Sequence, residues 1–299
     1  YPREWMAALM TCDSDDLSKV AKFIRECQSM GIAILPPDVN ESGQTFAATP
    51  KGIRFAMSGI KGVGTGVVEA IVEERRRKGP YTSLYQFCKR VDVKRVGKKV
   101  IEDLVDAGCF DFTGWSRDAL RQSVDPMFDT AAKEQKDALA GVMSLFAAIG
   151  DTAEARFSKA PEPKVRRSKM DILLREKELM GFFLTGHPMD GYKDILRRLS
   201  CVPLNQFETG PSDVVYRCAF IVESVQVRIS AKNQKKFAIL NISDGIDQYE
   251  LPVWSELYEE KSQLLQENKQ LYAVLHAEKK DGEIKLNCKW LDDLSRADE

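Results

Sequence analysis

The stretch Ile60-Lys61-Gly62-Val63-Gly64, followed at once by an apolar-periodic run over 65–78, decides how this chain is read. The run carries Val67, Val68, Ile71 and Val72 at helical spacing, so the spacing predicts an amphipathic helix opening directly after a glycine turn. Glycine tolerates positive φ, which lets the chain bend sharply and bring bare backbone amides close to a ligand. Amides at a helix N-terminus, backed by the helix dipole, favour an anion. Lys61 lies inside the turn, and the anion that suits it is a nucleic-acid phosphate. Lys61, Gly62, Val63, Gly64 and Thr65, with Arg75 further along the helix, are the candidate duplex-phosphate residues. A plain helix–helix corner with no ligand fits the glycine pattern as well. Arg75-Arg76-Arg77-Lys78 alone could be a solvated helix end, where cations complement the dipole.

The charge distribution favours the phosphate reading. The formal net charge is −1, yet residues 51–100 hold 13 Lys+Arg against 4 Asp+Glu, whereas residues 205–299 hold 12 against 17. A basic block inside a nearly neutral chain is a local electrostatic footprint. At 43% hydrophobic and 30% charged, the composition is that of a folded protein of two or three domains, with no run of membrane-spanning length and no secretory leader pattern. The seven cysteines form no C-x-x-C pair and there are 2 histidines, which argues against zinc and disulfide frameworks and for reduced thiols in the cytoplasm. A start at Tyr1 rather than Met suits a piece of a longer protein.

Around the pivot, residues 1–31 read as helical, with Asp13 or Ser14 as a cap and Gly31 as a stop. Residues 32–35 read as a short strand. A small hairpin over 46–49 and 53–57 turns at Pro50-Lys51-Gly52. Helices are expected over 84–91, capped by Ser83, and over 98–107, stopped by Gly108. Helix, glycine turn, helix, twice in succession, suggests a tandem helix-hairpin-helix. Residues 113–140 are helical in pattern, interrupted at Asp125-Pro126, and 151–169 read as a polar linker before a helix over 171–183. His187 before Pro188 reads as structural. Val142-Met143-Ser144-Leu145-Phe146, an apolar pentapeptide just before the linker, suits peptide docking, but by spacing alone Leu145 and Phe146 end a core helix.

From 215 onward the pattern turns to β: strands over 215–229, 236–242 and 249–253, a helix over 256–267, and a hairpin over 271–277 and 283–290 about Asp281-Gly282. Three strands, a helix and two strands is the order of an OB-fold, a small barrel that binds single strands or oligosaccharides. Arg228, Lys232, Lys235, Lys236 and Phe237 surround its first loop; basic side chains beside an aromatic suit a single strand whose phosphates are tracked and whose bases stack. A structural barrel with a solvated basic loop is the alternative.

Five segments are similar to one family. Trp5-Met6-Ala7-Ala8-Leu9-Met10-Thr11, Ile34-Leu35-Pro36-Pro37-Asp38-Val39-Asn40, Gly59-Ile60-Lys61-Gly62-Val63-Gly64, Ala107-Gly108-Cys109-Phe110-Asp111 and Leu184-Thr185-Gly186-His187-Pro188 resemble, in the same order, the bacterial C-family replicative DNA polymerase III alpha subunits. The resemblance implies an α+β multidomain chain: the end of the fingers at 1–48, a tandem helix-hairpin-helix DNA-binding domain at 49–140, a sliding-clamp motif at 141–150, linker and connecting helices at 151–204, and an all-β OB-fold barrel at 205–299. It also gives Val142, Met143, Ser144, Leu145 and Phe146 the clamp role, against the reading by spacing. Val142 stands where the family commonly has Gln, a loss of roughly 0.5–1.5 kcal/mol of hydrogen bonding, so a weakened clamp site is expected. The implied partners are double- and single-stranded DNA, the ring clamp and other holoenzyme subunits, with no membrane. No cofactor is expected in this segment; Mg2+ belongs to palm carboxylates of the parent polymerase, which this stretch lacks, so it should not polymerise alone. A free-standing nucleic-acid-binding adaptor with no catalytic parent is the other reading.

Overall fold

The computed structural model describes residues 1–140, 153–231, 233–245, 247–280 and 282–297. It divides into two compact units, Tyr1–Thr185 and Gly186–Glu299.

The first unit opens with helices α1 (Pro2–Cys12) and α2 (Leu17–Ser29). Asp16, rather than Asp13 or Ser14, caps α2 by accepting from the Ser18 and Lys19 amides at 3.1 and 3.2 Å. Asp13 pairs with Lys19 at 2.8 Å instead. Strands β1 (Ile34–Leu35), β2 (Ala47–Thr49) and β3 (Gly52–Arg54) form a three-stranded sheet in the order β1-β3-β2. The expected second hairpin strand stops at Arg54 because Phe55, Ala56 and Met57 all turn fully into the core.

Four helices follow: α3 (Thr65–Lys78), α4 (Leu84–Arg90), α5 (Lys98–Asp106) and α6 (Arg117–Leu139). Their core holds Val68, Ile71, Phe87, Ile101, Leu104, Phe110, Leu120, Val124 and Met127. Contrary to the sequence expectation, α6 continues through Pro126 without a break. A proline inside a helix costs about 3 kcal/mol, but Pro126 is exposed while its neighbours Val124 and Met127 are buried in the core, and their packing holds the helix together.

The stretch read as a linker is instead strapped to this unit. After α7 (Ala153–Arg156), the Phe157 ring lies 4.9 Å from that of Tyr85. The Lys164 amide donates to Gln122 Oε1 at 2.7 Å, and Arg167 Nε to Asp118 at 2.6 Å. Helix α8 (Lys169–Met180) then packs Leu179 and Met180 into the helical core. Composition suggests a free chain; the stretch stays largely exposed, but the Lys164 amide and Arg167 tie it to α6.

The second unit begins with α9 (Lys193–Arg198) and α10 (Gln206–Thr209), followed by β4 (Val214–Ile229), β5 (Lys236–Ser243), β6 (Gln248–Val253), α11 (Ser255–Lys261), β7 (Gln270–Lys280) and β8 (Glu283–Asp293). The five strands are ordered β6-β5-β4-β7-β8, all pairs antiparallel. A bulge between Val222 and Ser224 bends the long β4, whose first half pairs with β7 and second half with β5. The edge strands β6 and β8 lie beside each other, giving an OB-like barrel with its helix between third and fourth strands. That helix ends at Lys261, short of the expected 267, and continues as a 3-10 turn over Ser262–Leu264. Residues ahead of the expected boundary at 205 belong to this unit: Met189, Tyr192, Ile195 and Leu199 pack with Ala219 and Leu294. His187 is structural, its Nδ1 accepting from the Met189 amide at 3.2 Å.

Candidate nucleic-acid interface

The glycine turn is half anchored and half open. Ile60 and Val63 are buried, at 1% and 4% exposure, and hold the bend to the core. The Lys61 amide donates to the Leu179 carbonyl at 2.8 Å and the Val63 amide to that of Ile60 at 3.0 Å. Those two amides are therefore not offered to a ligand, which narrows the sequence expectation: Val63 anchors, and its backbone is already bonded. Beyond it, Gly64 is the N-cap of α3 at φ −74°, ψ 157°, with no side chain capping the helix. Gly62, Gly64, Thr65 and Gly66 are exposed, and among the described residues their amides have no acceptor in the chain. Four open donors at a helix N-terminus, with the Lys61 side chain exposed beside them, form a ready anion site.

A second copy of the same device was not singled out from the sequence. Gly97 caps α5 at φ −73°, ψ 162°, again with no side-chain cap, behind a fully buried Val96. Ile101 donates to the Gly97 carbonyl at 3.2 Å, as Val68 does to Gly64 at 3.2 Å. The signal was present as Val63-Gly64-Thr65 against Val96-Gly97-Lys98. Arg95 links the two turns, its Nη2 donating to the Gly66 carbonyl at 3.1 Å. Lys94 and Lys99 are exposed around the second turn, Lys99 also pairing with Asp103 at 3.0 Å, and Lys98 is engaged with Asp125 and Asp129 at 3.1 and 2.9 Å.

The arginine run has other work. Arg75 Nη1 donates to the Val39 and Ser42 carbonyls at 2.7 and 2.9 Å, stapling the 39–42 loop to α3, and burial pulls its pKa down. The structure thus separates Arg75 from the open amides of the turn. Arg77, Lys78 and Arg90 gather on Glu74, at 2.6, 3.2 and 3.4 Å. Burial alone would raise the Glu74 carboxyl, but Arg77 and Lys78 outweigh it and hold it below the usual range. Arg76 is the exposed member of the run without such a partner among the described residues.

On the β unit, Arg228 pairs in register with Phe237, and Ile229 with Lys236. The Phe237 ring lies 5.3 Å from that of Trp254, tilted by 31°, and Trp254 is 52% exposed. Trp254 escaped the sequence reading because it stands far from the first loop and reaches Phe237 only through the pairing of β5 with β6. Lys236 is exposed; Lys235 is also exposed and pairs with Glu259 at 3.3 Å. Lys232, and the clamp-motif residues Val142, Met143, Ser144, Leu145 and Phe146, lie outside the described residues. Among the described residues no group of His, Cys, Asp or Glu could hold a metal ion, and no helix is long and apolar enough to cross a membrane.

A family model described as a helix-hairpin-helix motif matches residues 31–120, which include both turns. Along 100% of this chain, DNA polymerase III subunit alpha of Chlamydia pneumoniae is 50% identical, the match taking in 24% of that protein. The same subunit from Vibrio cholerae is 33% identical over 100% of this chain and 26% of its own length. That of Escherichia coli is 31% identical with the same two coverages, 100% and 26%. The chain spans about a quarter of the length of these curated relatives, and the similarity to DNA polymerase III subunit alpha extends along all of it.

Proposed function

We propose that this chain is the part of a bacterial DNA polymerase III alpha subunit that holds DNA, contributing grip and processivity while the chemistry is carried elsewhere in the parent polymerase. The observation that carries the reading is the pair of uncapped helix N-termini at Gly64 and Gly97, tied together by Arg95, inside the helix-hairpin-helix match. Amides and lysines arranged this way engage phosphates of a double helix with little sequence preference. Gly62, Gly64, Thr65 and Lys61 form one contact; Gly97, Lys94 and Lys99 form its counterpart.

The OB-like unit is assigned to single-stranded template, with Arg228, Lys232, Lys235 and Lys236 tracking phosphates and Phe237 with Trp254 stacking bases. Val142, Met143, Ser144, Leu145 and Phe146 are assigned to the sliding clamp, on the resemblance of their place in the chain, with Leu145 and Phe146 as apolar anchors. Mg2+ is assigned to the parent polymerase, and a cytoplasmic location follows from a replicative role. A free-standing adaptor fits less well, because the relatives match along the whole chain as one segment of a polymerase subunit.

Duplex and single-strand binding of the whole chain, measured at several salt concentrations, tests the assignment. Both should bind, with affinity falling linearly in log–log form as salt rises; a chain that binds neither overturns it. Retention on immobilised clamp should vanish for the Leu145→Ala/Phe146→Ala variant, and undiminished retention places that contact elsewhere.

A further inference from the structure

We propose that Asp103 is a built-in restraint on duplex affinity: its carboxylate stands directly behind the first hairpin bend and competes with DNA phosphate for Lys99. The proposal rests on the helix-hairpin-helix reading of the same turns.

Asp103 belongs to α5 and its side chain is 6% exposed. A Cβ added at Gly62 would stand 3.2 Å from Asp103 Oδ2, so the bend and the carboxylate are in contact distance. Gly62 has φ +87°, and a larger residue there would meet both backbone strain and this oxygen. Asp103 Oδ1 accepts from Lys99 Nζ at 3.0 Å and from Arg175 Nη2 at 2.5 Å. Lys99 itself is 69% exposed, so its ammonium is open to solvent as well as paired with Asp103.

Helix α8 carries a second carboxylate, Glu178, paired with Arg175 at 2.5 Å. Glu178, 55% exposed, is held below the usual carboxylate range by Arg175, with Lys61 and Lys99 adding to the effect. The same helix accepts the Lys61 amide at Leu179. Of the lysines assigned to phosphate, Lys99 therefore pairs with a carboxylate of the chain, and Lys61 and Lys99 both lie within electrostatic reach of Glu178. A site built for the tightest grip would omit these acids; their presence lowers the local positive potential and leaves the duplex free to move along the turns. Arg175 is a positioning residue in this scheme: it neutralises Asp103, and also reaches Asp106 at 3.3 Å.

The test is fluorescence anisotropy of a short labelled duplex with the whole chain, across a salt series, with melting temperature recorded for each variant. Asp103→Asn should bind duplex about 3–10-fold tighter at low salt, the gain shrinking as salt rises. Arg175→Gln should bind more weakly by a similar factor, and the double variant should bind within about 2-fold of Asp103→Asn alone, because Arg175 acts through that carboxylate. A gain that fades as salt rises is electrostatic, so the salt series separates a charge restraint from a structural role. Glu178→Gln, at an exposed position, should also bind tighter and decides the matter if Asp103→Asn does not fold. Lys61→Ala is the control on the site itself: unchanged duplex binding there overturns the site and the restraint together. Weaker binding by Lys61→Ala with no gain in Asp103→Asn or Glu178→Gln overturns the restraint alone.

Discussion

Arg95 reaches from the second hairpin turn into the first, its Nη2 donating to the Gly66 carbonyl at 3.1 Å. Gly66 lies in the opening turn of α3, so this bond sets the spacing between the two groups of open amides. Arg95→Ala removes both a cation and the tie. Duplex affinity should fall and the salt slope should flatten by about 1. Arg95→Lys keeps the charge but not the planar donor pair, so its slope should stay while affinity still drops. Equal affinity for the lysine variant and the parent would show that the tie does not set the geometry.

Two glycines of one turn should respond unequally to alanine. Gly62 sits at φ +87° with Asp103 Oδ2 at 3.2 Å from its would-be Cβ, and the substitution should cost about 1–2 kcal/mol. Gly64 has φ −74° and nothing within 4 Å of a Cβ, so its alanine variant should stay within about 0.5 kcal/mol of the parent. Urea unfolding followed by circular dichroism reads both.

The contrast shows what the sequence could and could not carry. The apolar period of 65–78 and the glycines before it were enough to place α3 and its open N-terminus, because both signals are local. The β order of the second unit was legible for the same reason: alternation and turn residues mark each strand of the OB-like sheet. What escaped was tertiary. Arg75 looks like part of a basic run, and only the 39–42 loop, far off in sequence, gives it partners. Residues 151–169 have linker composition, yet Gln122 and Asp118 on α6 take up their polar groups. Pro126 is a breaker by local rule and is overridden by the packing of Val124 and Met127.

Glu176 should be among the most sensitive positions of the helical unit. It is fully buried, and its carboxylate accepts from the Leu184 and Thr185 amides at 2.8 Å each, from Thr185 Oγ1 at 3.0 Å and from Arg117 Nη1 at 3.1 Å. Glu176→Ala strands all of these donors and should cost about 3–5 kcal/mol. Glu176→Gln keeps the volume and an acceptor oxygen and should lose less. A thermal melt that moves little for the alanine variant would remove the network from the stability of the unit.

Thiol reactivity should follow burial. Burial pushes Cys27 up to about 11 and Cys88 and Cys288 up to about 12, and raises Cys109 and Cys218 well above the ordinary value. At pH 8 these groups hold almost no thiolate, and thiolate is the reactive form. Cys12 is the exposed cysteine. A thiol reagent on the native chain should label Cys12 first, with the buried five reacting only on unfolding; rapid labelling of Cys88 or Cys218 would contradict the packing described.

Trp254 supplies the sharpest test of the single-strand face. Its ring, 52% exposed, lies 5.3 Å from Phe237, which is itself paired in register with Arg228, so a stacking surface and a cation share one side of the sheet. Stacking of a base on an aromatic is worth roughly 1–3 kcal/mol, so Trp254→Ala should weaken single-strand binding by about one to two decades. It removes no charge, and the salt slope should therefore stay where it is. Lys236→Ala should do the reverse, flattening the slope with a smaller loss of affinity at high salt. Trp254→Phe should recover part of the loss, and duplex binding should be indifferent to all three changes. If Trp254→Ala binds a single strand as well as the parent while Lys236→Ala does not, the face works by charge alone and bases do not stack there.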